Sequence, residues 1–209
     1  MHRPFARALL AILALALPTL PAAAQNLIPN GRFDTNLDGW TNIDPSKFWT
    51  SVDADNNPNS GSATIKNNLP VGSGVFIEVC VPIQPGGHYL YGGDIKIEPF
   101  SVLSQGRGVL ELSFWPQLGC KVGGVLGGSL STTAQYSWIP LLGSADVPGN
   151  ALSASLKIEL LTLVVVSGDD LAARFDNVLL VVPEPKASEA ALAALAPLGA
   201  LVLRRRRSG

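Results

Sequence analysis

Leu152-Ser153-Ala154-Ser155-Leu156-Lys157-Ile158-Glu159-Leu160 decides the fold class. Leu152, Ala154, Leu156, Ile158 and Leu160 alternate with Ser153, Ser155, Lys157 and Glu159, and a period of two marks an extended strand with one apolar and one polar face. The apolar run continues to Val166, so the expectation is a strand over 152–166 with one face on a core and the other in water.

The same reading extends in both directions. Over 75–83, Val75, Ile77, Val79 and Val81 share one face and Phe76, Glu78 and Cys80 the other, until Pro82 and Pro85-Gly86-Gly87 end the run. Tyr89 to Ile97 fits a strand with a bulge or bend at Gly92-Gly93. Residues 109–115 direct Leu110, Leu112 and Phe114 inward and leave Glu111, Ser113 and Trp115 on the opposite face. Gly119 to Gly128 reads as a glycine-rich turn region, and further strands fit 136–142 and 173–182. The Asn-, Asp- and Gly-rich stretch 53–62 reads as a loop, and no internal repeat is present. Six or more antiparallel strands without helical periods between them predict an all-β domain built as a two-sheet sandwich.

Both termini read as addresses rather than fold. Arg3 and Arg7, the apolar run from Ala8 to Leu17 and Ala22-Ala23-Ala24 have the order of a cleavable signal peptide over 1–24. At the other end, Pro183-Glu184-Pro185 precedes an apolar stretch over 187–203 and then Arg204 to Arg207. Seventeen helical residues reach about 26 Å, just short of a hydrocarbon core of roughly 30 Å. The expectation is therefore a marginal transmembrane helix, with the arginines holding its end on the cytoplasmic side. The resulting organisation is a signal peptide over 1–24, one β-domain over 25–182 and a C-terminal tail over 183–209.

The domain between carries 8 Lys and Arg against 14 Asp and Glu, a net charge near −6 that the whole-chain value of −1 hides. An acidic domain argues against nucleic acid as a partner, because phosphate binding needs the opposite sign. Cys80 and Cys120, in an exported and oxidising context, read by default as a disulfide. His88 is the one histidine left after signal removal, and neither a Gly-x-Ser-x-Gly elbow nor a metal-binding His pair is present. Glu78, Glu98, Glu111 and Glu159 offer carboxylate pairs, as any acidic sandwich does, so the reading is of a protein without enzymatic activity.

The triplet, span and arginine cluster resemble the PEP-CTERM sorting signal, which implies processing by an exosortase-type enzyme. A plain C-terminal anchor would share the span and the arginine stop. The mature N-terminus Asn26-Leu27-Ile28-Pro29-Asn30-Gly31-Arg32-Phe33-Asp34, with Leu37-Asp38-Gly39-Trp40, resembles carbohydrate-binding modules of the CenC type, family 4/9/22. Cys80-Val81-Pro82-Ile83, with Pro85-Gly86 and Tyr89 behind it, and the closing Arg174-Phe175-Asp176-Asn177-Val178 follow in that family's order.

This second resemblance implies a jelly-roll β-sandwich of the galactose-binding-domain type and a structural calcium tying the N-terminal segment to the last strand. Carried over residue by residue, Asp34 and Asp176 are its side-chain ligands and the Arg32 carbonyl a third, with further oxygens from the loop near Asn57 to Ser60. The alternative is that Asp34 is a turn residue and Asp176 caps the strand edge. Trp40 and Trp138 occupy positions that pack the core in that family. Trp49, Tyr91 and Trp115 are the candidate sugar platform, with Glu111 on the face of Trp115 and Gln117 close by. The expectation is an exported surface or matrix protein that binds polysaccharide. A structural protein that keeps the sandwich without a sugar is the other reading, favoured if those aromatics are buried.

Overall fold

Alternation of apolar and polar side chains lays down nine strands: β1 (Lys47–Thr50), β2 (Ser62–Asn67), β3 (Gly74–Pro82), β4 (His88–Pro99), β5 (Gln105–Trp115), β6 (Val125–Thr132), β7 (Ile139–Asp146), β8 (Ser153–Val164) and β9 (Leu171–Val181). The structure is a computed structural model that describes residues 25–182 apart from 100, 102, 165 and 167–169. The expected signal peptide and the sorting tail, including Pro183, Glu184, Pro185 and the apolar stretch 187–203, lie outside the described residues. No helix among the described residues is long and apolar enough to cross a membrane.

The strands pair antiparallel in two sheets, a five-stranded one ordered β1-β2-β9-β4-β7 and a four-stranded one ordered β3-β8-β5-β6. This is the all-β sandwich that the periodicity predicts. Ile65, Ile95, Ile97 and Phe175 from the first sheet meet Ile77, Leu110, Leu112, Leu156 and Ile158 from the second, and all are fully buried. The hydrophobic core is thus closed within residues 25–182. Removing this much apolar surface from water is the main favourable term of folding.

Several strands lie where the sequence places them. β3 and β5 carry the predicted faces; the β4–β9 register shifts between Gly92 and Asp94, but the extra residue is on β9 near Asn177, and β4 itself pairs unbroken with β7. A side chain at Gly92 would collide with the carbonyl oxygen of Leu141 on β7, so the residue is small because the neighbouring strand passes too close.

Three other readings need correction. The glycine-rich region 119–128 is not only turn, because β6 begins at Val125 and pairs along β5 with a bulge near Gly127. The strand expected at 136–142 is displaced to 139–146. On β8 the polar face is wet only in part. Lys157 and Glu159 are half-buried, whereas Ser153 and Ser155 are buried under the β5–β6 loop. Ser153 Oγ donates to the Gln117 carbonyl at 2.6 Å and accepts from the Cys120 amide at 3.2 Å, while Trp115 Nε1 donates to Ser155 Oγ at 3.0 Å. The predicted Cys80–Cys120 disulfide forms and ties this loop to the outer face of β3, with an S–S distance of 2.05 Å and Cα atoms 6.0 Å apart.

Candidate functional site

The four aromatic and acidic residues expected to bind sugar do not assemble on one face. Tyr91, on β4, points inward and is 3% exposed, with its ring against Gly143 and its hydroxyl over Gly128. Two-residue alternation, unbroken along the β4–β7 pairing, puts it on the same side as Tyr89 and Ile95, and burial pushes its phenol up. Trp49, on β1, is half-buried against the core, and its Nε1 donates to the Phe33 carbonyl at 2.6 Å. Trp115 lies on the other sheet, half-buried, with its six-membered ring against Gly124. A common platform of Trp49, Tyr91 and Trp115 is therefore absent. Trp40 packs in the core as expected, tilted against Phe33 at 5.3 Å, but Trp138 is only half-buried.

Glu111 does sit where the alternation placed it, and the register gives it neighbours that no local pattern names. Across the outer face of the four-stranded sheet, Glu78, Lys157, Glu111 and Ser129 stand in one row. Lys157 Nζ pairs with Glu111 at 3.2 Å and Glu159 at 3.1 Å, and lies 5.5 Å from the centre of the Phe76 ring. Burial pushes the Lys157 ammonium down, but hydrogen bonds from its charge to Glu159 and Glu111 outweigh that and hold its pKa above the ordinary value.

Phe76 links this row to a cleft of about 430 Å³ at the free edge of β3. The cleft runs between the 42–47 segment, the β2–β3 loop and the first residues of β3, and its lining includes Asn42, Asp44, Lys47, Asn68 and Leu69. Thr41 bridges to Glu78 on β3 and fixes the 42–47 segment beside that edge. Lys47 Nζ then donates to the Asn42 carbonyl at 2.7 Å and pairs with Asp44. Hydrogen bonds from Lys47 and Ser46 lower the Asp44 pKa to about 2. A ring face, side-chain amides and charged groups in a volume of this order suit a small polar ligand. Phe76 and Glu78 were legible as one face of β3; their meeting with Lys157 and with the cleft depended on strand order.

The second assembly lies against β9. Asp176 is fully buried, its Oδ2 accepting from the Ala54 amide at 2.8 Å and its Oδ1 from the Asn177 amide at 2.7 Å. Asp53 is buried beside it and accepts from the Asp55 and Asn57 amides, both at 2.8 Å. Ser60 Oγ donates to the Arg32 carbonyl at 2.9 Å and lies 3.4 Å from Asp34 Oδ1. Burial raises the Asp176 pKa to about 7, the Ala54 and Asn177 amides work against it, and Asp53 and Asp94 add to the rise. Burial also raises Asp53, but hydrogen bonds from Asn57, Ser60 and Asp55 outweigh it and leave that carboxyl below its ordinary value. The two carboxyls thus lie near each other with their pKa values moved in opposite directions, Asp176 up and Asp53 down.

Ser60 thus stands beside the Arg32 carbonyl and Asp34, while Asp176 is tied to the same loop through the Ala54 amide. Ser60 comes from the loop expected to contribute, whereas Asn57 instead caps its own turn, accepting from the Asn59 amide at 3.0 Å. Among the described residues no three acidic, His or Cys side chains converge closely enough to make a metal cage alone. Carboxylate, carbonyl and hydroxyl oxygens are the donor type a hard cation takes, but these carboxylates do not converge on one point. Elsewhere, His88 Nδ1 and Asp146 Oδ1 form an exposed pair at 2.7 Å where β4 and β7 meet.

No protein-family model matches the chain, and no curated protein matches it. Solved structures share its fold. A family 16 carbohydrate-binding module is 17% identical with a TM-score of 0.51, over 75% of this chain and 99% of that one. The C-terminal family 22 carbohydrate-binding module of Clostridium thermocellum Xyn10B is 12% identical with a TM-score of 0.51, over 78% of this chain and 97% of that one. The enzymatically active domain of bacteriophage CBA120 tailspike protein 4 is 14% identical with a TM-score of 0.54, over 76% of this chain but 21% of that one. At these identities the likeness is one of fold: the described domain shares its two-sheet β-sandwich with these proteins.

Proposed function

We propose that the chain is an exported, non-catalytic protein whose sandwich binds polysaccharide at the bacterial surface or in the extracellular matrix. Its signal peptide would send it across the inner membrane, and its tail would anchor it there and present Pro183-Glu184-Pro185 to an exosortase-type enzyme. The observation that carries the sugar reading is the junction of the β3-edge cleft with the Glu78–Lys157–Glu111 row through Phe76. Carboxylates, amides and an ammonium in one row can hydrogen-bond ring hydroxyls, and an aromatic ring can lie against a pyranose face. The fold likeness to modules of families 16 and 22 supports the same reading without identifying a glycan.

The test is a glycan array or affinity electrophoresis with the mature domain. Phe76→Ala and Glu111→Gln should each weaken retention on a bound glycan. Trp49→Ala should lower stability instead. Absence of binding across neutral and acidic polysaccharides would favour the structural reading, which the missing Trp49–Tyr91–Trp115 platform already supports.

Calcium belongs to this proposal as a structural ion. Asp34, Asp176 and the Arg32 carbonyl would hold it, with Ser60 beside them, and its charge would favour the ionised form of Asp176. Its effect would be to fasten the N-terminal segment and the 51–61 loop to β9.

A further inference from the structure

Strand pairing puts several segments at the same end of the sandwich. Trp115 and Pro82 flank Ser153, Phe114 pairs with Val125, His88 with Asp146, and Leu90 with Val181. The β3–β4, β5–β6 and β7–β8 loops therefore share this end with the point where the chain leaves β9. The β5–β6 loop and the first residues of β6 expose Leu118 (64%), Val122 (64%), Val125 (51%) and Leu126 (65%), and Leu152 adds to them from the β7–β8 loop. Lys121 is the only charged residue of the three loops.

The opposite end also exposes apolar side chains, Leu69, Val71, Leu103 and Tyr136. It differs in charge and in distance. Its β8–β9 connection includes Asp170. The eleven residues of β9 place it about 36 Å away. Val182 and Ala187 can be separated by at most about 18 Å of chain. A membrane holding the apolar stretch 187–203 would therefore lie within reach of the first end and out of reach of the second.

We infer that the Leu118–Leu126 end of the sandwich docks on the lipid surface while the tail is uncut, which rests on the reading of 187–203 as a membrane span. The disulfide and Ser153 hold the loop in shape. Its aliphatic side chains enter the headgroup boundary, and Lys121 faces anionic lipid. Docking keeps the end of β9 close to the lipid surface, where a membrane-embedded processing enzyme works.

The test uses residues 25–209 reconstituted in phosphatidylethanolamine–phosphatidylglycerol vesicles, with and without brominated acyl chains. Flotation reads the span and tryptophan emission reads docking, because Trp115 packs against Gly124 inside the patch. Brominated lipid should quench emission. The quenching should vanish in Trp115→Phe and in Leu118→Ser/Val122→Ser/Leu126→Ser, and persist in Val71→Ser/Leu103→Ser. A second arm tethers residues 25–182 by a histidine tag after Val182 to nickel-chelating lipid in the same vesicles, which reads docking even if the tail does not insert. Equal emission in both vesicle types in the tethered arm overturns the inference whether or not the tail floats. So does quenching untouched by the triple variant, or self-association through this patch without lipid.

Discussion

The two acidic assemblies of this domain use the same side-chain chemistry for opposite purposes. Against β9, Asp53 and Asp176 are buried and hydrogen-bonded to backbone amides. On the four-stranded sheet, Glu78, Glu111 and Glu159 surround Lys157 at a surface that water reaches. Burial makes the first set part of what holds the fold, since an unmatched polar group costs most where water is excluded. Exposure leaves the second set free to exchange partners at little cost, as an interaction surface requires.

The largest expected effect tests the support of the exposed face. Cys80→Ala/Cys120→Ala should destabilise the domain by about 4 kcal/mol in urea unfolding, because the disulfide closes a loop of 40 residues. A loss that left the calcium response unchanged would keep the two regions separate.

Next comes the buried set. Asp176→Ala strips the acceptors from the Ala54 and Asn177 amides and should cost about 3 kcal/mol. Melting should fall by roughly 6–12 °C. In wild type, calcium should raise the melting temperature and EDTA lower it; in Asp176→Ala the two should coincide. An unchanged wild-type melt in EDTA removes the ion from the account.

A smaller effect is the sign of the pH response in EDTA. Folded Asp176 keeps its proton up to about pH 7, whereas the unfolded carboxyl releases it near its ordinary value of 3.8. Its contribution to stability is present below that ordinary value and is lost as pH rises toward 7. Glu98 on the same five-stranded sheet should act in the opposite direction. Burial raises its pKa, but Lys96 and Arg174 outweigh this and hold it low, so its contribution is lost as pH falls through the folded value. Melting curves of Asp176→Asn and Glu98→Gln between pH 4 and 8 separate the two slopes.

The smallest change in stability belongs to the exposed row. Glu111→Gln should move the melting free energy by about 0.5 kcal/mol or less, since the Lys157 pair is half-exposed and Glu159 remains. A loss several times larger would make this row structural and weaken its claim to a ligand.

Legibility followed the range of the interactions. The faces of β3, β5 and β8 were readable because alternation is a local property, whereas the bulge opposite Gly92-Gly93 lies on β9, where Asn177 gave no such signal. β6 was missed because Gly123, Gly124, Gly127 and Gly128 break its apolar pattern, though Phe114 and Tyr91 need just that small space. Tyr91 was misplaced as a surface ring because a tyrosine reads alike in a core and on a platform until its opposite sheet is known. Asp53 was passed over as a loop residue, since nothing nearby signals that its partner lies 123 positions away on β9.

By itself the sequence determined the all-β class, the inward and outward sets of the long strands, the two cysteines available for pairing, and the charge that sets the domain apart from its basic ends. These depend on period, composition and order along the chain. Tertiary structure decided which strands are neighbours, and with that which charges meet. It placed Lys157 between Glu111 and Glu159, brought Asp53 to Asp176, turned Tyr91 inward, and put the Leu118–Leu126 loop beside the exit of β9. Strand order and register are set by core packing between distant segments, and no local pattern encodes them.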